Sequence, residues 1–344
     1  MLRLIRVPAI LDPCVDPLRS HVHGHHGLYV RLRVVAMAFR WGRRHGAHRY
    51  RSLDGEPHRT RVNHLCLGER WAPEAALRQQ AQAVRHARRP GHGETLDGII
   101  DDAKNATRGK AMDAIATRQA PTTAADIRGH QDVCARLVGR EHVLPVGLRL
   151  SVNKAPGAAV GLPLRQTTAL AAPRLRAFTP PTGGTVVVWC EACSLCPTVV
   201  QACRQPPWPL ASTLPRHRRL CTHGGQRNAG RSGRQRLRRR RPDPLDRATS
   251  DGPVRSRGVE AGGLEGSRRG PRHVVCARIG EATTSRGRVT DPPELAAPDV
   301  SRTDEQRWTI APWRPAVQPW LGRGPDQHRP DWAAVTHRQL VCLA

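Results

Sequence analysis

The densest group of metal-ligating side chains runs Trp189-Cys190-Glu191-Ala192-Cys193-Ser194-Leu195-Cys196-Pro197, followed by Cys203, His217, Cys221 and His223. Cys190 and Cys193 form a Cys-x-x-Cys knuckle, and His217 and Cys221 are spaced His-x-x-x-Cys. Three thiolates and one imidazole make a tetrahedral donor set that suits structural zinc. Cys190, Cys193, His217 and Cys221 are therefore the candidate zinc ligands, and zinc is the one cofactor the sequence suggests. Two features weigh against the site. A second Cys-x-x-Cys is missing, and Pro206, Pro207 and Pro209 stand between the two halves in place of a helix pattern. Unpaired thiols in a loop are the simpler alternative.

The same cysteine run is similar over about eight residues to the ligand run of bacterial ferredoxins, Cys-x-x-Cys-x-x-Cys-x-x-x-Cys-Pro. It departs from that pattern because the fourth cysteine is displaced to Cys203 and the proline follows the third. A second imidazole group, His21-Val22-His23-Gly24-His25-His26, has donors that suit zinc, nickel or copper. With 17 histidines in the chain, such a cluster also arises by chance. Asp97, Asp101 and Asp102 fall on a segment with a helical apolar stripe, Asp97 and Asp101 at i, i+4. Paired carboxylates can bind a metal or transfer protons. On a helix the plainer role is a solvated face, with Asp97 in a first turn that favours acids.

Residues 192–242 contain 12 Arg and no Asp or Glu. The densest part holds Arg231, Arg234, Arg236, Arg238, Arg239, Arg240 and Arg241. Guanidinium groups fork onto phosphate oxygens and are weakly hydrated. Neutralising several phosphates releases counterions, which gives salt-dependent affinity without base specificity. Charge alone suits the segment 204–241 to nucleic acid or another polyanion, but no partner is assignable, and codon bias that places arginines there without a selected role is the alternative. Trp208 is the one aromatic in this window, too few for a base-stacking platform.

The elements that would position these groups divide the chain into four stretches. Residues 1–60 are basic and His-rich, and the alternation at Leu28-Tyr29-Val30-Arg31-Leu32-Arg33-Val34 predicts a strand over about 28–39. Residues 61–150 read as a small helical region. Pro73 to Arg89 carries Leu77, Ala81 and Val84 on one face and ends at Pro90-Gly91. Leu96, Ile99, Ile100 and Ala103 form a second stripe, and Ile127, Cys134 and Val138 a third, which together place short helices across about 73–138. Residues 151–205 hold short strands and the cysteine cluster. Val146, Leu148, Leu150 and Val152 alternate, giving a strand over 146–152 that leads into this stretch, and Thr185-Val186-Val187-Val188-Trp189 is the strongest strand signal. Residues 206–344 carry 26 Arg and 13 acidic residues among many Pro and Gly, and read as disordered.

Composition sets the class. Of 56 basic residues 53 are Arg, and the formal net charge is +28. There are two Phe and two Tyr against eight Trp. Large apolar and aromatic side chains supply most burial energy, so this chain is expected to be largely irregular, with at most a small α+β region. The enriched residues are those of G/C-rich codons, and the skew favours Arg over Lys and Trp over Phe alike. That is the pattern of a spurious or antisense reading frame in a G/C-rich genome, and on this reading the chain has no assignable activity. No set of nucleophile, base and orienting residue stands out, which leans against an enzyme. The sequence holds no apolar run of spanning length, and without a secretory segment the default compartment is the cytoplasm.

Overall fold

The computed structural model describes residues 12–22, 26–38, 72–87, 93–107, 112–119, 125–139, 142–180, 182–191, 196–204, 207–214, 219–222, 225–228, 247–249, 252–261, 263–264, 272–279, 286–291 and 331–343. The N-terminal elements are α1 (Asp12–Val15), a 3-10 turn (Asp16–His21), α2 (His26–Ala38) and α3 (Pro73–Ala87). Then come β1 (Thr95–Ala106), β2 (Ala116–Gln119), β3 (Asp126–Val138), β4 (Val143–Ser151), α4 (Lys154–Ala159), α5 (Thr167–Leu175), β5 (Thr185–Cys190), α6 (Pro197–Cys203) and β6 (Leu210–Leu214). The C-terminal part contributes β7 (Arg219–Thr222), β8 (Gly225–Asn228), β9 (Arg247–Thr249), β10 (Gly252–Ala261), β11 (Gly263–Leu264), β12 (Arg272–Ile279), β13 (Arg286–Asp291) and α7 (Asp331–Leu343).

β1 is the pivot of a mixed sheet. On one side it pairs antiparallel with β3, which carries β2 and β4 in tandem along its far edge. On the other side it pairs parallel with β5, and β5 parallel with β6. β13, β12, β10 and β9 continue the sheet antiparallel beyond β6, while β11, β7 and β8 form a separate three-stranded sheet. The parallel β5–β6 pair is joined through α6, as a parallel connection requires.

This ordered α/β core corrects the expectation of a largely irregular chain with at most a small α+β region. The thin aromatic content is offset by Val, Leu, Ile and Ala placed on strands buried from both sides. On one face Leu96, Ile100, Val133, Ala135, Leu137, Val186 and Val188 pack against Ala81 of α3, Ala171 and Leu175 of α5 and Val199 of α6. On the other face Ile99, Val138, Val187 and Trp189 form one cluster, and Cys134, Leu148 and Leu150 pack with Val335 of α7. Phe178 lies over Gly98, where a β-carbon would come within 2.6 Å of its ring, and contacts Trp208 at 6.2 Å between centroids.

The same two-sided burial explains a second correction. The helices expected across 73–138 are one helix, α3, followed by strands β1, β2 and β3. Leu96 through Asp101 are all buried, so β1 shows no period-two alternation, and its apolar residues fall by coincidence at helical spacing. Ile99, Ile100 and Gly98 are poor helix residues, consistent with the outcome. A third correction concerns about 28–39, read as a strand and folded as α2. That helix buries Tyr29, Val30 and Val34 and leaves Leu28 57 % exposed. Its Arg31 is ion-paired with Asp12 and lies 3.7 Å from Asp16. Strands are present where 146–152 and 185–189 predict them, in β4 and β5. Beyond residue 206 the described segments are regular: β6 to β13 and α7.

A buried polar network seats α7 on the sheet. Arg338 Nη1 donates to Asp132 Oδ1 at 2.5 Å and Nη2 to His130 Nδ1 at 2.6 Å. Asn105 Nδ2 donates to Asp132 Oδ2 at 2.6 Å, and His130 Nε2 is 2.8 Å from the Asp113 carbonyl. Because Nδ1 accepts from Arg338, the ring carries its proton on Nε2 and donates to that carbonyl. Buried charges persist when paired and hydrogen-bonded in this way.

Candidate metal centre

β5 pairs with β1 only as far as Cys190 opposite Ile100, while β1 runs on to Ala106. The end of β5 therefore leaves a notch beside β1. Asp101 and Asp102 stand on β1 at that notch, and Glu191 is the first residue past β5. Carboxylate oxygens of Asp101, Asp102 and Glu191 all lie within 4.8 Å of one another. Strand alternation aims Asp101 and Asp102 to opposite faces.

The notch has the topology of a ligand site. The chain leaves β1 to one side, through β2, β3 and β4, and returns on the other, through β5 and β6. In open sheets built from parallel strands, ligands bind beyond the carboxyl ends of the strands where the strand order switches direction. Glu191 occupies that place at the carboxyl end of β5.

The electrostatics are strained. Burial, first, and the neighbouring Asp101 and Asp102, second, push the Glu191 carboxyl up from 4.5 to about 8. Like carboxylates in one desolvated place hold on to a proton for this reason. Gln131 Nε2 donates to Asp102 Oδ2 and orients it from β3. On β2, burial lowers the Arg118 guanidinium, and the charge of Asp102 opposes that. Nε and Nη2 of Arg118 are buried and meet no acceptor.

Three oxygen donors at this spacing fit a hard cation. Mg²⁺ takes one or two carboxylates and keeps waters and phosphate oxygens in its other positions. A groove of about 990 Å³ between α5 and α6, lined by Ala172, Pro173, Phe178, Gln201 and Trp208, includes none of the three carboxylates.

The residues singled out for zinc are placed differently. Cys190 is fully buried in the apolar cluster with Val188, Val199 and Leu210. Cys193 and His217 lie outside the described residues, and Cys221 is on β7 in the separate sheet. Arg231, Arg234, Arg236, Arg238, Arg239, Arg240 and Arg241 lie outside the described residues, as do His23 and His25. Asp97 is on β1, buried, four residues before Asp101. Glu191 was overlooked as a ligand because it stood inside a cysteine motif, although a carboxylate following the strongest strand in the chain is a usable signal. No helix among the described residues is long and apolar enough to cross a membrane. A scan against models of protein families and a search of curated proteins found no match.

Proposed function

We propose that this chain binds a hard divalent cation, Mg²⁺ or Mn²⁺, through Asp101, Asp102 and Glu191, and that the cation engages phosphate groups of a nucleic acid. The observation that carries this reading is the convergence of three carboxylates within 4.8 Å where β5 ends beside β1. A cation there would relieve the repulsion that raises Glu191 and leave open positions for phosphate oxygens.

Arg118 supports the phosphate side of the proposal, since its Nε and Nη2 are buried without an acceptor and its guanidinium feels the charge of Asp102, which the cation would neutralise. The segment 204–241, with 12 Arg and no acid, supplies sequence-independent affinity for the rest of the polymer.

The test is fluorescence anisotropy of a labelled RNA or DNA oligomer at constant ionic strength, with and without Mg²⁺. Free Mg²⁺ ordinarily competes with arginine for phosphates and weakens binding. On the present reading 1 mM Mg²⁺ strengthens binding about three- to tenfold in the intact chain, an effect worth about 1 kcal/mol. Asp102→Asn abolishes that gain and keeps the Mg²⁺-free affinity, while Arg118→Gln reduces it and keeps Mn²⁺ binding. If Mg²⁺ weakens binding equally in the intact chain and in Asp102→Asn, the proposal fails. A reading frame without selected function predicts that failure.

A further inference from the structure

We propose that the apolar loop closing α4, residues 158–164, is a docking surface for an anionic lipid bilayer. It goes beyond the cation reading and shares no residue with it. Among the described residues three large apolar side chains are exposed, and two of them stand here, Val160 at 45 % and Leu164 at 50 %. Ala158, Ala159, Gly161 and Pro163, beside and between them, are exposed as well. Single apolar residues on a surface are ordinary, whereas a contiguous apolar patch marks a place of interaction.

The local backbone explains why these side chains stay out. α4 ends in a glycine cap: Leu162 N–H donates to the Gly157 carbonyl at 2.8 Å, Gly161 N–H donates to that of Ala158 at 3.4 Å, and Gly161 has a φ of 70°. The cap turns Leu162 inward, where it packs against the cluster of Cys134, Leu148, Leu150 and Val335. Gly157 is required at this turn, because a β-carbon would meet the Leu162 carbonyl oxygen and Val152 Cγ1, both at 2.8 Å. Val152 and Arg165 exchange backbone hydrogen bonds, both 3.0 Å, and pinch the loop at its base. Val160 and Leu164, on either side of the inward Leu162, are thus held in solvent by a backbone fixed at both ends. A preset loop gives up little conformational freedom on docking.

Charge selects the occupant. Between Val152 and Arg165 the one charged residue is Lys154, at the base of the loop. Residues 142–190 hold five Lys and Arg and no Asp or Glu. Anionic headgroups attract such a segment, and apolar side chains of the loop then reach the boundary of headgroups and acyl chains. An apolar tip over a basic base matches that layering. A second copy of the chain is the weaker occupant, because two chains of net charge +28 repel one another.

The test is co-sedimentation of the full-length chain with vesicles of phosphatidylcholine and phosphatidylserine, mixed two to one, at physiological salt. Divalent cation and nucleic acid are left out, so the carboxylate notch takes no part and the two proposals fail separately. Val160→Ser combined with Leu164→Ser keeps every charge and is expected to weaken partition about tenfold. Val160→Trp is expected to strengthen it about threefold, since an indole ring suits the membrane interface. The emission added by that tryptophan should be quenched by lipids brominated on their acyl chains. Adhesion by charge alone predicts equal partition of all three proteins and no quenching of the added emission, and that result overturns the proposal. A double serine variant that partitions like the intact chain but sediments differently in the absence of vesicles makes the loop a contact between copies, and overturns it equally. Should the double variant fail to fold, as judged by circular dichroism, the quenching measurement on Val160→Trp decides.

Discussion

Replacing Arg338 by Met tests whether α7 is fastened to the sheet as described, across a separation of 206 residues. Arg338 and Asp132 are 2 % and 0 % exposed and lie 2.5 Å apart. Removing one partner of such a pair strands the other charge, at a cost of about 3–5 kcal/mol. Asn105 still donates to Asp132 in the variant, which favours the lower end of that range. The lost hydrogen bond to His130 Nδ1 adds about 1 kcal/mol. Arg338→Met should therefore lose about 3–4 kcal/mol in equilibrium urea unfolding. Adding Asp132→Asn removes the stranded charge while keeping the shape, so the double variant should recover to within about 2 kcal/mol of the intact chain. A loss below about 1 kcal/mol for Arg338→Met, or a double variant equal to the sum of the singles, would refute the buried pair as the fastening of α7.

Other outcomes follow from the same geometry. Glu191 is raised from 4.5 to about 8 in the folded chain, so its folded form holds a proton that the unfolded chain has released. The associated stability is fully present below pH 4.5 and is lost as pH rises to about 8, by a few kcal/mol in the cation-free protein. Glu191→Gln should flatten that slope in melts between pH 5 and 8, and an unchanged slope contradicts the assignment. Gly129 packs against the Asn105 backbone carbonyl in the β1–β3 ladder, where backbone cannot yield to a β-carbon. Gly129→Ala should therefore cost more in urea unfolding than Gly98→Ala, whose new methyl meets the side chains of Phe178 and Val186.

Local signals in the sequence recovered β5, β4 and α3, because each element has one dominant pattern: a β-branched run, an alternation, and a stripe of helix formers ended by Pro-Gly. They misassigned β1 and β3 because a strand covered on both faces has no period of two, and Leu96, Ile99, Ile100 and Ala103 happen to repeat at helical intervals. The underestimate of the core has a related cause. Counting Phe and Tyr misses that Val186, Val187, Val188 and Ala135 each fill a layer when strands lie side by side. Two of the three residues of the candidate centre were visible in the sequence. Asp101 and Asp102 were noticed as paired carboxylates, but on a helix they would have faced solvent. Glu191 joins them only through the parallel pairing of β1 with β5, a contact across about ninety residues that no local pattern carries.

The most direct test of the account is Mn²⁺ binding to the full chain, followed by electron paramagnetic resonance or calorimetry at several pH values. A cation that must displace the proton on Glu191 binds about tenfold more tightly for each pH unit between 6 and 7, with the gain levelling off above about 8. Calorimetry in buffers of different ionisation enthalpy should count about one proton released per cation near pH 6.5. Asp101→Asn combined with Glu191→Gln should abolish the binding while the chain remains folded. Mn²⁺ affinity that is independent of pH, or that survives the double substitution, would contradict the assignment of Asp101, Asp102 and Glu191 as a metal centre.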